Sequence, residues 1–298
     1  AYNNSACYLY AIHSVTGVVG PAVTGSTGLS CGTYPASPAI DMSENGYLFI
    51  GQSSSPYGKL WRFDNGKFIE ETNTVLSAVL ATAPTKVAIS KNGNYLAITG
   101  AAYTRIYYKN SSGTYTLMSD PGSKPTPATA IAFSDDEKLM AMGTGASARI
   151  WPINSTSNSF GSVATVTGTA TVAAIDFSPD GKYMAMIGSG PAAAANYNTR
   201  IRIYKIDAFN TAGFTDITPS GTFTYSGTTF TDVAFSKDSF FLVAPYTGGA
   251  DSRRAVIFRR TGMNSFQELR ATYSSSPAQT LNFTLGAGES PYLARFAH

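Results

Sequence analysis

Apolar residues alternate with small or polar ones in a short phrase that this chain states again and again. In AIDFSPDGKYMAMIG, from Ala174 to Gly188, Ile175 and Phe177 alternate with smaller neighbours, Ser178-Pro179-Asp180-Gly181 carries turn chemistry, and Tyr183 to Ile187 is a second apolar run. The pattern predicts two short strands about a tight reversal. It returns as AIDMSENGYLFIG from Ala39, VAISKNGNYLAITG from Val87, IAFSDDEKLMAMG from Ile131 and VAFSKDSFFLVA from Val233, with a looser sixth form, LNFTLGAGESPYLA, from Leu281. Hairpins are therefore expected near 39–51, 87–100, 131–143, 174–188, 233–244 and 281–294.

The polar residues that open the turns, Ser43, Ser90, Ser134, Ser178, Ser236 and Thr284, follow one another at steps of 47, 44, 44, 58 and 48 residues. Repeats of about 40–45 residues with about four short strands each are the signature of β-propeller blades, and the amphipathic helices of a helical solenoid are missing. A third strand follows each hairpin, as GKLWRFD from Gly58, TRIYYKN from Thr104, ARIWPIN from Ala148, TRIRIYKID from Thr199 and RRAVIFRR from Arg253. Fourth strands are expected at KFIEE from Lys67, TYTLM from Thr114, SVATV from Ser162, GTFTY from Gly221 and SFQEL from Ser265.

The last repeat ends at His298 after two strands, whereas the chain opens with ACYLYAIHS and GVVGPAVTG, which read as a third and a fourth. The expectation is a single all-β domain over 1–298, a six-bladed β-propeller of four-stranded antiparallel blades, its ring closed by strands within 5–23 pairing with 280–298. Such closure removes open sheet edges.

Composition narrows the setting. Charged residues make up only 13% of the chain, against about 25% in an average soluble protein, so Ser, Thr, Asn, Gly and Tyr must dominate the surface. That points to a virion or extracellular location. A net charge of +3 from 21 basic and 18 acidic residues, with no basic run beyond Arg253-Arg254 and Arg259-Arg260, excludes nucleic acid as the main partner. No apolar stretch approaches the length of a membrane span. The chain begins at Ala1 without Met, which suggests processing, with any signal peptide or neighbouring domain out of view. Cys7 and Cys31 flank the proposed closure strands and read either as two buried thiols or as a disulfide tethering them.

Two sets of residues are candidates for function. Two positions before each turn marker stand Asp41, Ala88, Ala132, Asp176, Ala234 and Asn282, so Asp41, Asp176 and Asn282 are polar where the other repeats are small. Each carboxylate is expected to accept hydrogen bonds from the next blade; the alternative is a cation or water site in a central channel. The loops joining second to third strands carry Tyr57, Tyr103, Tyr197 and Tyr246 among small residues, a rim suited to binding protein or sugar. For catalysis the raw material is poor, with only His13 and His298 and no nucleophile, phosphate-loop or metal motif. A non-catalytic chain without cofactor or metal is the expectation.

FSPDGKYMA at Phe177 to Ala185, with RIRIYK at Arg200 to Lys205, resembles WD40-like propeller repeats, although the Gly-His and Trp-Asp dipeptides of that family are absent and Trp61 and Trp151 are followed by Arg62 and Pro152. Ser55-Pro56-Tyr57 before a third strand, with the turns at Asp64 to Phe68 and Asn110 to Tyr115, looks like propeller repeats of bacteriophage structural proteins and some bacterial surface proteins. The resemblance implies a virion tail, fibre or decoration protein whose partners are other virion or surface proteins, in an oligomeric context, and host glycans. The alternative is a secreted or cell-surface propeller that binds or hydrolyses carbohydrate.

Overall fold

Strands and turns account for the described part of the computed structural model, which covers residues 5–6, 10–12, 19–22, 30–32, 39–72, 80–168, 171–189, 200–208, 213–219, 228–248 and 254–269; no helix occurs among them. The chain forms two compact units, the first made of Ala1–Phe133, Ile153–Gly161 and Ala297–His298, the second of Ser134–Pro152 and Ser162–Phe296.

In the first unit, β1 (Ser5–Ala6) pairs with β4 (Ser30–Gly32), and β2 (Tyr10–Ile12) pairs antiparallel with β3 (Val19–Ala22). Those last two strands fall within the two N-terminal stretches read as strands. Cys7 and the hairpin 281–294 lie outside the described residues, and so do the proposed disulfide and ring closure. Two four-stranded antiparallel meanders follow: repeat one, with β5 (Ile40–Met42), β6 (Tyr47–Gly51), β7 (Gly58–Asp64) and β8 (Lys67–Glu70), and repeat two, with β9 (Pro84–Ile89), β10 (Tyr95–Gly100), β11 (Tyr103–Lys109) and β12 (Tyr115–Leu117). Next comes β13 (Ile131–Phe133), whose Phe133 stacks on Tyr95 with ring centroids 6.1 Å apart.

The second unit holds β14 (Leu139–Thr144), which pairs with β15 (Ser147–Asn154). The last two residues of β15, Ile153 and Asn154, belong to the first unit, where they pair with β16 (Ser159–Phe160); the start of β15 meets β17 (Ala164–Thr167). Repeat four is the meander β18 (Thr171–Phe177), β19 (Tyr183–Ser189), β20 (Ile201–Ile206) and β21 (Phe214–Asp216). In repeat five, β22 (Thr228–Phe230) and β23 (Ala234–Phe235) both pair with β24 (Phe241–Gly248), so the inner strand is split, and β25 (Arg254–Gly262) and β26 (Ser265–Glu268) complete the sheet. Phe214–Asp216 pairs with β20 as the fourth strand of this sheet, and the GTFTY stretch expected there from Gly221 lies outside the described residues. FTD is short and half polar, and its pairing with β20 is what identifies it.

The repeated phrase folds as its chemistry dictates. The five marker serines are buried and each accepts a backbone N–H from the second strand; Ser178 Oγ also donates to Asp180 Oδ1 at 2.7 Å while it accepts the Tyr183 N–H at 2.8 Å. Ser134 does the same with Asp136 and Leu139, and Ser236 with Asp238 and Phe241. The third residue after the marker takes a left-handed conformation, as in Gly181 at φ 68°. Glu137 and Ser239 adopt it as well, which for a side-chain-bearing residue costs about 1–2 kcal/mol and shows the turn over-determined by its hydrogen bonds. The second strands form the core: Leu48–Ile50, Tyr95–Gly100, Met140–Met142 and Met184–Ile187 are almost wholly buried, as continuous apolar runs between packed sheets must be.

Candidate functional site

The loop end of repeat two is built differently from its turn end. Thr99 and Thr104, opposite each other on β10 and β11 and fully buried, hydrogen-bond through their hydroxyls at 2.9 Å. Thr104 Oγ1 donates to the Pro125 carbonyl at 2.8 Å, and Thr99 Oγ1 accepts the Ala128 N–H at 3.0 Å. These bonds fix the segment that leaves β12 against the β10–β11 turn. Between them lies a cleft of about 330 Å³, lined among others by Tyr103, Thr104, Arg105, Asp120, Ser123 and Lys124. A side recess of about 120 Å³ shares Thr104, Arg105, Asp120 and Lys124 and adds Leu117. The cleft is at the lower end of the size range of small-molecule sites.

Charge converges there. Lys124 is 13% exposed at its side chain, its stem laid against the cleft wall, and its ammonium donates to Asp120 Oδ2. Asp120 Oδ1 accepts the Gly122 N–H at 3.1 Å. The Lys124 hydrogen bond and charge, together with the Gly122 N–H and the nearby Arg105 guanidinium, hold the Asp120 carboxyl below the ordinary carboxylate range despite some opposing burial. Arg105 Nε is shielded from solvent and has no hydrogen-bond partner. One ionised carboxylate and two cations therefore share the cleft, an arrangement able to take up an anionic group and, with Asp120 as base, to move a proton from water.

The residues singled out from the sequence lie elsewhere, with one exception. Asp41 Oδ2 accepts the Ile89 N–H of repeat two at 2.8 Å, and Asp176 Oδ2 accepts the Phe235 N–H of repeat five at 2.7 Å, so both carboxylates clamp the neighbouring inner strand. Tyr103 borders the cleft, but its ring is buried and its hydroxyl donates to the Thr82 carbonyl at 2.9 Å. Burial and the neighbouring Tyr107 raise its pKa. Tyr57 packs half-buried on the same cluster, and Tyr246 is buried edge-on to Phe230 at 5.5 Å. Tyr197 and Asn282 lie outside the described residues, and Cys31 sits in β4. No group of three His, Cys, Asp or Glu side chains suited to a metal occurs among the described residues, and no helix there is long and apolar enough to cross a membrane.

No family model and no curated protein matches the sequence. Among solved structures, the chain is similar to a Bacteroides fragilis protein described as a 6-phosphogluconolactonase, at 12% identity over 89% of this chain and 77% of that one, with a TM-score of 0.61. It is also similar to the periplasmic gluconolactonase of Pseudomonas aeruginosa, at 12% identity over 90% and 79% with a TM-score of 0.60. A Lactobacillus plantarum protein matches at 16% identity over 88% and 76% with a TM-score of 0.56. The fold is a β-propeller of antiparallel sheets, three of them four-stranded among the described residues. The expectation of a non-catalytic chain is corrected here: propellers that match it over most of its length bear the names of lactonases.

Proposed function

We propose that this chain is a carbohydrate-directed hydrolytic propeller that opens the lactone of a sugar acid, with its site in the repeat-two cleft. The observation that carries this reading is the meeting of Asp120, Lys124 and Arg105 in one cleft large enough for a single sugar. The names of the lactonase neighbours support the choice of substrate. They favour the hydrolytic alternative over a bacteriophage tail, fibre or decoration protein. The periplasmic neighbour and the low content of charge support a location outside the cytoplasm. The reading assumes a ring of six repeats, with repeat six completed by the N-terminal strands.

Asp120 takes a proton from water as that water adds to the lactone carbonyl, and the developing oxyanion faces Lys124 and Arg105. The ring C–O bond then breaks, Asp120 returns its proton to the leaving alkoxide, and the hydroxy acid formed ionises, releasing one proton for each lactone opened. Proton release from glucono-δ-lactone, followed in a pH-stat above the spontaneous rate, tests this. Asp120→Asn should lower the catalysed rate by about a hundredfold. Because the Asp120 pKa is depressed and its ionised form is the base, the rate should hold at neutral pH and fall only as pH drops through that lowered value. A wild-type rate equal to the spontaneous one would sink the reading.

A further inference from the structure

Arg105 belongs to a set of equivalent basic residues. Lys59 stands opposite Ile50, Arg105 opposite Ile98, Arg149 opposite Met142 and Arg202 opposite Met186, each at the same register position of a third strand. In repeat one the fourth strand supplies a carboxylate to this position, Glu70, which bonds Lys59 at 2.9 Å. In repeat four Asp216 bonds Arg202 at 3.0 Å. Glu70 lies opposite Trp61 and Asp216 opposite Tyr204, and the matching residue of repeat two, opposite Tyr107, is Leu117. Leu117 is 43% exposed and lines the recess beside Arg105. Repeat two therefore keeps the cation and omits its internal anion, at the place where the cleft opens, while Asp120 is engaged by Lys124.

We infer that the repeat-two cleft is an oxyanion site, which takes the carboxylate or phosphate of a small polyhydroxylated ligand into the place that Glu70 and Asp216 fill in their own repeats. The polyol part of this assignment rests on the hydrolytic reading; the anion part stands on the missing carboxylate alone. With Asp120 cancelling one of the two cations, the cleft has one positive charge to offer, and a planar guanidinium matches the oxygens of a carboxylate or phosphate in two parallel bonds. The product of lactone opening carries such a group, and so does a phosphorylated substrate. Arg105 would thus set specificity for charge, separating a sugar acid from a neutral sugar of equal size.

Calorimetric titration of the full chain with gluconate, inorganic phosphate and neutral sorbitol at constant ionic strength tests the site. One or both anions should bind and sorbitol should bind at least tenfold more weakly; the tighter of the two anions tells carboxylate from phosphate. Arg105→Gln should lower anion affinity tenfold or more. Leu117→Glu, which restores the internal carboxylate at an exposed position, should do the same while leaving the thermal midpoint at or above that of the wild type, and Leu117→Gln should bind like the wild type. Anion binding indifferent to either Arg105→Gln or Leu117→Glu, or no anion binding at all, overturns the inference. Anion binding without lactone hydrolysis overturns the hydrolytic reading and leaves the oxyanion site in place, whereas hydrolysis with anion affinity insensitive to position 117 does the opposite.

Discussion

The junction of repeats one and two and that of repeats four and five are built to one plan with different charges. In both, an inner-strand aspartate reaches a backbone N–H of the next repeat, Asp41 to Ile89 and Asp176 to Phe235. In both, a tyrosine at the start of the second strand meets an aromatic ring of the next fourth strand edge-on, Tyr47 with Tyr115 at 5.9 Å and Tyr183 with Phe266 at 5.2 Å. A cation from the end of the neighbouring third strand lies over that tyrosine, Lys109 in one case and Arg260 in the other. The difference lies in the turn: Asn45 donates to the Asn92 carbonyl, whereas Asp180 accepts from Arg260 at 2.8 Å, and Arg260 also covers Phe240 at 4.4 Å. The clamp, the ring pair and the cation are shared; the ion pairs differ in place and closeness, Lys91 with Glu44 at 3.6 Å at the first junction and Arg260 with Asp180 at 2.8 Å at the second.

If the aspartate clamps are the common element, Asp41→Ala and Asp176→Ala should each cost about 1.5–3 kcal/mol, because each removes a charged acceptor from a strand N–H. Urea unfolding measures both, and costs differing by more than about 1 kcal/mol would break the equivalence. The cations come next. Arg260→Ala should cost about 1–2 kcal/mol, since it loses an ion pair that is little exposed and two ring contacts, while Lys109→Ala, which removes the ammonium over Tyr47, should cost about 0.5 kcal/mol. The smallest effect is on pH dependence. Burial works to raise the Asp180 pKa, but hydrogen bonds from Ser178, Arg260 and the Lys182 N–H outweigh it and leave the carboxyl depressed. Its contribution is therefore present above the unfolded value of about 3.9 and is lost as pH falls through the folded one. Asp180→Asn, which gives this turn the side chain found at Asn45, should be less stable than the wild type at neutral pH and should converge with it below about pH 4. A constant gap across that range would show that the ion pair adds nothing.

What could be read in the chain was what is local. The S-x-[ND]-G turns are closed within five residues by Ser178, Asp180 and Tyr183, so their chemistry is written in one phrase. Asp41 and Asp176 stood out as exceptions in a column of alanines, although the strand each one holds lies 48 or 59 residues further on. The cleft was not legible, because Asp120 and Lys124 sit in an irregular connection that no repeat predicts. Its signal is a leucine in a column of carboxylates, and that column requires the register of the fourth strands. Placing the fourth strand of repeat four at Gly221 instead of Phe214 hid Asp216 and the column with it. The tyrosines misled for a related reason: Tyr103 and Tyr246 sit in loops by sequence, yet their rings are large enough to turn inward and fill the sheet packing.

The paired threonines Thr99 and Thr104 hold down the backbone at Pro125 and Ala128, through bonds in which Arg105, Asp120 and Lys124 take no part. Anchorage and recognition are thereby assigned to different atoms. Residues 120–124 are free to be exchanged for others without loosening the sheet that carries them, so a new preference for ligand can arise here by a few substitutions on an unchanged frame.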